Sequence, residues 1–386
     1  MAFFLLVVKS AFRNRLRSLL TSVGVAVAII AFLFLRTLLA AWYAGAEAAA
    51  VDRMVVRNRI SIIFPLPLSY VDKVKQVPGV SDVSWANWFG ATYIDERNFF
   101  AQFAVDPESY LRVVPEILLS PEERKAFIDD RQGCIVGELL AKKYNWKIGD
   151  QIPLQGTIYP GNWKLTIRGI YKAGSKSFDV QTMFLHWKLV DEQMPERRRN
   201  QLGVIMIRVA DPNQSVAVAQ GVDKLFQNSP AETRTESEKQ FQLSFVSMSG
   251  ALLGAINLIS IVVLIILVII VANTIAMSTR ERTTEYAVLK AIGFRPGHII
   301  GFVLGEGLVT GALGSIIGIL VTAPLISFTA RVLEKSLGSF LGQFEIDKTA
   351  AALSVVAAIL GGMVAAAVPA WRAARMKLVD ALRRVE

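Results

Sequence analysis

Four long apolar runs set the pattern of this chain, near Ser18–Ala46, Phe245–Met277, Ile299–Ala330 and Thr349–Ala370. Each reaches the roughly 18 residues that an α-helix needs to cross the hydrocarbon of a bilayer. The second contains INLISIVVLIILVIIVA, with no charge at all. The first is too long for the apolar region of a cleaved signal peptide, about 7 to 15 residues, and reads as an anchor. Ahead of it, FFLLVVKSAFRNRLR mixes apolar and basic residues and suits an amphipathic helix on a membrane surface.

Between the first two runs the pattern changes. VSDVSWANW, GCIVG, WKLTIRGIY and GVIMIRVA alternate or are rich in β-branched residues and predict strands, while LLAKKYNW and QSVAVAQGVDKLFQN have helical spacing. Turn signals at Pro78-Gly79, Gly149-Asp150, Pro160-Gly161 and Asp211-Pro212-Asn213 separate them. The expected fold is an α-helical four-span bundle with a large mixed α/β extracytoplasmic domain between spans 1 and 2. The segments Ala46–Val56 and Glu232–Phe245 read as outward helical continuations of those two spans, a stalk.

The expected organisation is therefore a surface segment at 1–17, spans at 18–46, 245–277, 299–330 and 349–370, an outer domain with its stalk at 47–244, an inner loop at 278–298, a short outer loop at 331–348 and a tail at 371–386. With 53% hydrophobic and 19% charged residues, the composition agrees with a membrane protein.

Charge sets the expected orientation. Lys9, Arg13, Arg15 and Arg17 precede the first span; Arg280, Arg282, Lys290 and Arg295 lie between the second and third; Arg372, Arg375, Lys377, Arg383 and Arg384 follow the fourth. By the positive-inside rule both termini and the 278–298 loop are cytoplasmic. The outer segment from Ala46 to Phe245 holds about 25 basic and about 24 acidic residues, so the net charge of +10 gathers beside the membrane and calls for no nucleic-acid partner.

Several chemistries lack their residues. The chain has two histidines, His186 and His298, and one cysteine, Cys134, too few for a Cys/His zinc cluster or a thiol pair. Cys134 reads as a small buried strand residue, and the histidines as ordinary side chains rather than ligands. No G-x-x-x-x-G-K-[ST] loop is present, so no cofactor-binding or catalytic residue is assigned and any nucleotide energy must come from a partner.

The stretch ERTTEYAVLKAIGF, Glu281–Phe294, lies between the second and third spans. As a helix it puts Val288, Leu289 and Ile292 toward one side, and Gly293 can end it in a left-handed cap. Taken alone, it suits either a helix lying on lipid headgroups or a docking element; Glu281 and Glu285 count against the first because anionic headgroups repel them.

Around this stretch, NTIAMSTRERTTEYAVLKAIGFRPGHIIGFVLGEGLVTGALGSIIG resembles the permease core of the MacB/FtsX-type ABC transporters, whose ERxxEIAxLxAIG stretch is followed by a Glu-Gly and a glycine-rich helix. The ending PAWRAARMKLVDALRRVE is similar to the tail of that family, and VPGVSDV and CIVGELLAKKYNWKIGDQIPLQG resemble its extracytoplasmic domain. Thr284 and Tyr286 stand where the family usually has Arg and Ile.

The resemblance implies a permease subunit in a bacterial inner membrane, with a coupling helix that docks on a separate ATPase subunit. Glu281, Arg282, Glu285 and Lys290 are the candidate polar contacts there, and Val288, Leu289 and Ile292 the apolar ones. ATP and Mg²⁺ would be held by that partner. A second permease, identical or related, and a periplasmic adaptor or membrane fusion protein are further implied partners. The implied role is export or extraction of a lipoprotein, lipid, peptide or drug by transmitted motion; the alternative is a regulatory subunit that uses the same strokes to activate a cell-wall hydrolase or signalling partner.

Gly301/Gly305, Gly307/Gly311 and Gly314/Gly318 each have the G-x-x-x-G spacing that lets helix backbones approach closely in lipid, either between two permeases or within one bundle. Glu306 in the third span needs a partner or water, as a structural group or as a proton relay. Arg36 in the first span can snorkel to the interface or touch substrate.

Overall fold

The structure is a computed structural model describing residues 15–95, 98, 100–175, 178–337 and 348–375. The chain divides into a helical unit, made of the residues up to Ala40, Gly250–Ala330 and the last helix, and an α/β unit built chiefly from Ala41–Ser249.

Helices over Arg15–Ala48, Gly250–Glu281, Pro296–Leu337 and Lys348–Arg375 each contain a stretch long and apolar enough to cross a membrane. A short helix, Thr283–Ala291, links the second to the third. Their boundaries depart from the expected ones: the second helix runs on past Met277 to Glu281, the third starts at Pro296 and the fourth runs on past Ala370 to Arg375, and two further departures have a clear local cause. Phe245–Met248 belong to a separate helix, Glu238–Met248, and the second long helix begins at Gly250, where Ser249 and Gly250 weaken helix propensity. Residues 331–337 continue the third helix instead of starting an outer loop, since no glycine or proline interrupts ARVLEKSL. Of the expected amphipathic segment and tail, residues 1–14 and 376–386 lie outside the described residues, as do 338–347 of the expected outer loop.

The bundle core joins all four spans. Val25, Ile29 and Leu33 of the first, Leu267, Val271 and Ile275 of the second, Ile299 and Val303 of the third, and Ala358, Ala366 and Ala370 of the fourth form one cluster. Water gives little drive for helix association in lipid, so close packing between small residues matters more there.

The α/β unit is organised by a mixed sheet whose order runs Thr233–Ser237, Arg53–Asn58, Val204–Val209, Val80–Trp88, Gln102–Val105, Met183–His186, Gly133–Gly137, Gly161–Ala173, Gln151–Gly156, Ala91–Thr92. Parallel pairing occurs between Met183–His186 and Gln102–Val105 and between Gly133–Gly137 and Gly161–Ala173; the other neighbours along this order are antiparallel.

Side-chain alternation along the strands feeds two cores. Ile205, Ile207, Leu185, Ala104 and Val136 join Tyr70, Val74, Val218 and Phe226 on one face, whereas Met206, Phe184, Val105 and Ile135 join Tyr110, Val113 and Phe127 on the other. Helices thus cover both faces, a three-layer arrangement. The expected strands at VSDVSWANW, GCIVG, WKLTIRGIY and GVIMIRVA are present, and so are helices in the two segments with helical spacing.

The expected helical stalk is corrected in part. The first helix stops at Ala48, and Arg53–Asn58 is a strand pairing with Thr233–Ser237. The apolar run Met54–Val56, with β-branched Val55 and Val56, and the β-branched Thr233 and Thr235 favour pairing over helix. Helix resumes at Glu238, capped by Ser237, whose hydroxyl accepts from the Gln240 N–H at 3.2 Å.

Candidate functional site

The second long helix breaks at Arg282, and Thr283–Ala291 follows as a separate helix. Its C-terminal end is closed by Gly293 at φ +102°, a conformation that a β-carbon would strain, as the cap expected from the sequence requires. The Phe294 N–H donates to the Leu289 carbonyl and the Gly293 N–H to the Lys290 carbonyl, both at 3.0 Å.

This linker helix has two different faces. Tyr286 and Ala287 are buried, and Leu289 packs against the bundle core. Arg282 is also turned inward, its Nη1 3.5 Å from Glu306 Oε2. Ser278 Oγ donates to the other oxygen of Glu306 at 2.9 Å. Burial, with Glu306 adding to it, pushes the Tyr286 phenol up to about 12, so it keeps its proton. Lys290 Nζ donates to the Ala374 carbonyl at 2.7 Å, on the last turn of the fourth span. The opposite face is open: Thr284, Val288, Ala291 and Ile292 are exposed, Ile292 to 71%, and so is Glu281 at the end of the second long helix.

The expected docking residues therefore separate. The structure puts Glu281, Val288 and Ile292 on the outer face, turns Arg282, Leu289 and Lys290 toward the bundle, and leaves Glu285 half-buried. Val288 and Leu289, adjacent in sequence, point apart because successive helix residues are about 100° apart. Sequence reasoning missed Ser278 and Tyr286; the i, i+4 spacing of Ser278, Arg282 and Tyr286 was the available signal, since it stacks them on one face.

Most of the glycine pattern is spent inside the chain. A β-carbon on Gly307 would lie 2.5 Å from the Gly362 carbonyl oxygen, and one on Gly311 2.6 Å from that of Ala358, both on the fourth span. Gly314 and Gly318 lie against Val25 and Ile29 of the first span. Gly301 and Gly305 are half-buried on the same helix. Arg36 Nη1 donates to Asn257 Oδ1 of the second span at 3.4 Å, and its guanidinium stands 5.9 Å over the Phe32 ring.

In the α/β unit, Arg53 follows the exit of the first helix and is buried. Its Nε and Nη2 donate to Glu238 at 2.9 and 3.2 Å, and its Nη1 donates to Glu116 at 2.9 Å and to the Val113 carbonyl at 3.2 Å. Burial alone would lower its pKa, but Glu238 and Glu116 outweigh that and hold it above the ordinary value. Glu238 also accepts from the Ala50 N–H at 2.9 Å. One arginine thus ties the end of the first helix to the start of the helix that leads back to the second span.

Cys134 and the two histidines sit elsewhere in the fold. Cys134 is buried in its strand. His186 Nε2 lies 2.5 Å from the Phe127 carbonyl, and His298 Nδ1 accepts from the Arg295 N–H at 3.2 Å, capping the third span. Among the described residues no group of three or more His, Cys, Asp or Glu could hold a metal ion.

Comparison with known proteins agrees with this layout. Residues 18–225 match the MacB-like periplasmic core domain, and residues 257–378 match the FtsX-like permease C-terminal family. An uncharacterised ABC transporter permease of Methanocaldococcus jannaschii is 21% identical over 402 residues, covering 98% of this chain and 97% of its own. The macrolide export ATP-binding/permease protein MacB of Neisseria gonorrhoeae is 25% identical over 268 residues, 66% of this chain but 38% of that protein, so the match leaves most of that protein's length uncovered. The crystal structure of the periplasmic region of MacB from Actinobacillus actinomycetemcomitans is similar with a TM-score of 0.38 and 11% identity, over 52% of this chain and 94% of that one. With its membrane spans, its extracytoplasmic α/β domain and both family regions in register, the chain belongs to the MacB/FtsX-type ABC transporter permeases.

Proposed function

We propose that this permease subunit couples ATP hydrolysis on a separate ATP-binding subunit to motion of its extracytoplasmic domain, and so exports or extracts a substrate such as a lipoprotein, lipid, peptide or drug. The observation that carries this reading is the two-faced linker helix. Its inner face is fastened to two spans, and its outer face presents Val288 and Ile292, ending in a rigid glycine cap. A helix fastened on one side and open on the other can receive a push from a bound subunit and hand it to the spans, whereas a floppy loop would absorb it.

ATP and Mg²⁺ belong to the partner in this reading, supported by the ATP binding named for the MacB relatives. The basic residues of the linker and of the end of the fourth span support a cytoplasmic position for the linker and both termini, in the inner membrane. A second permease, identical or related, would complete the assembly, with an extracytoplasmic adaptor as a further partner. Because Gly307, Gly311, Gly314 and Gly318 are occupied within the chain, the pairing surface would lie on other residues.

The test is co-purification with the cognate ATP-binding subunit. Ile292→Asp changes an exposed side chain and should leave insertion and folding intact, yet cut retention of the partner about tenfold, the size of roughly 1.4 kcal/mol lost at an apolar contact. Unchanged retention and unchanged ATPase activity of the complex would sink the docking assignment.

A further inference from the structure

Glu306 lies in the first third of the third span, 13% exposed, where a carboxylate is expensive unless it is paired. Its two oxygens are held by two residues four apart, one before a helix break and one at it. Ser278, in the last turn of the second span, binds Oε1 at 2.9 Å, and Arg282, the residue at the break itself, binds Oε2 at 3.5 Å with an exposure of 11%. The next residue inward on the linker, Tyr286, is buried and close enough to feel the charge of Glu306.

A break between two helices is a soft point. Left alone, it would let the linker helix swing without moving the spans. We propose that Glu306 is a positioning residue for coupling: by holding Ser278 and Arg282 on one carboxylate it stiffens the break, so that displacement of the linker helix is delivered to the third span. This rests on the coupling role proposed above. Lys290, fastened to the Ala374 carbonyl, makes the matching attachment to the fourth span, so the short helix is anchored near both ends to different spans.

Stability alone does not account for the pair. Well-packed apolar side chains of similar volume often hold a buried site as well as an ion pair does. What they do not supply is a directional tie between one point on the linker and one on the span, made here by the Arg282 ion pair and the hydrogen bond from Ser278 to the same carboxylate. Its position at the break, rather than midway along two helices, is the second reason for a mechanical role.

The experiment uses the whole permease bound to its ATP-binding subunit in proteoliposomes. A spin label at Leu308, exposed on the third span, reports whether the span moves between the nucleotide-free and vanadate-trapped states. The variants are Glu306→Gln, Arg282→Met, and the exchange Arg282→Glu with Glu306→Arg. Glu306→Gln and Arg282→Met should keep the partner bound but reduce the nucleotide-driven spectral change about tenfold, within the usual range of a coupling free energy. The exchange variant should bring it back to within about twofold of the native value.

If Glu306→Gln assembles and shows the native change, the proposal is overturned. If the single variants fail to assemble, the exchange decides: assembly regained without the nucleotide-driven change reduces the pair to scaffolding and also overturns it. A native complex that binds its partner yet shows no change at Leu308 overturns the underlying coupling reading instead.

Discussion

At the scale of single residues, the structure separates groups that sequence alone leaves open. Gly307 and Gly362 meet so closely that a β-carbon on either would sit 2.5 Å from the carbonyl oxygen of the other, which assigns that glycine to packing within the bundle. The G-x-x-x-G spacing announced a close approach but could not say to which helix, because spacing carries no information about the partner. His186 was legible as an ordinary buried side chain, and its setting yields a pH prediction. Burial holds its pKa below the ordinary 6.5, so the unfolded chain takes up a proton that the folded one refuses. Stability from this residue is full above about pH 6.5 and is lost as pH falls below it, with a slope of at most about 1.4 kcal/mol per pH unit. Thermal unfolding of the purified protein between neutral and mildly acid pH should show that slope, and His186→Gln should flatten it.

At the scale of elements, what was readable depended on whether the signal was local. The four spans and the glycine cap of the linker announce themselves through apolar length and a single residue type. The linker's faces did not, because Arg282 and Lys290 look like surface charges until the carboxylate of Glu306 and the carbonyl of Ala374 are brought to them by other helices. The supposed stalk was only partly right for the same reason: Arg53–Asn58 is extended because a strand nearly 180 residues later pairs with it. Arg53 then fixes that junction. Replacing it with Met removes the charge that both Glu116 and Glu238 face, leaving two partly buried carboxylates uncompensated at a cost of about 3 kcal/mol. Denaturant unfolding of Arg53→Met against the native protein should show a loss of that order, while the exposed pair of Arg131 with Glu192 should change stability by less than about 1 kcal/mol when Arg131 is replaced.

At the scale of the whole molecule, the chain order sets the α/β unit between the first and second spans. Its sheet is covered on both faces by helices, and within that unit Arg53 ties the segment after the first helix to the start of Glu238–Met248. The fold class was visible in the switch from long apolar runs to alternating ones and back. The sheet order was not, since it depends on pairings between strands far apart in sequence. The central claim is that a partner ATPase acts on the outer face of the linker helix. The most direct measurement places a photo-crosslinking amino acid in turn at Val288, Ile292 and Tyr286 in the assembled complex. The account predicts adducts with the ATP-binding subunit from Val288 and Ile292 and none from the buried Tyr286; absence of an adduct from both outer positions, while the partner still co-purifies, would contradict it.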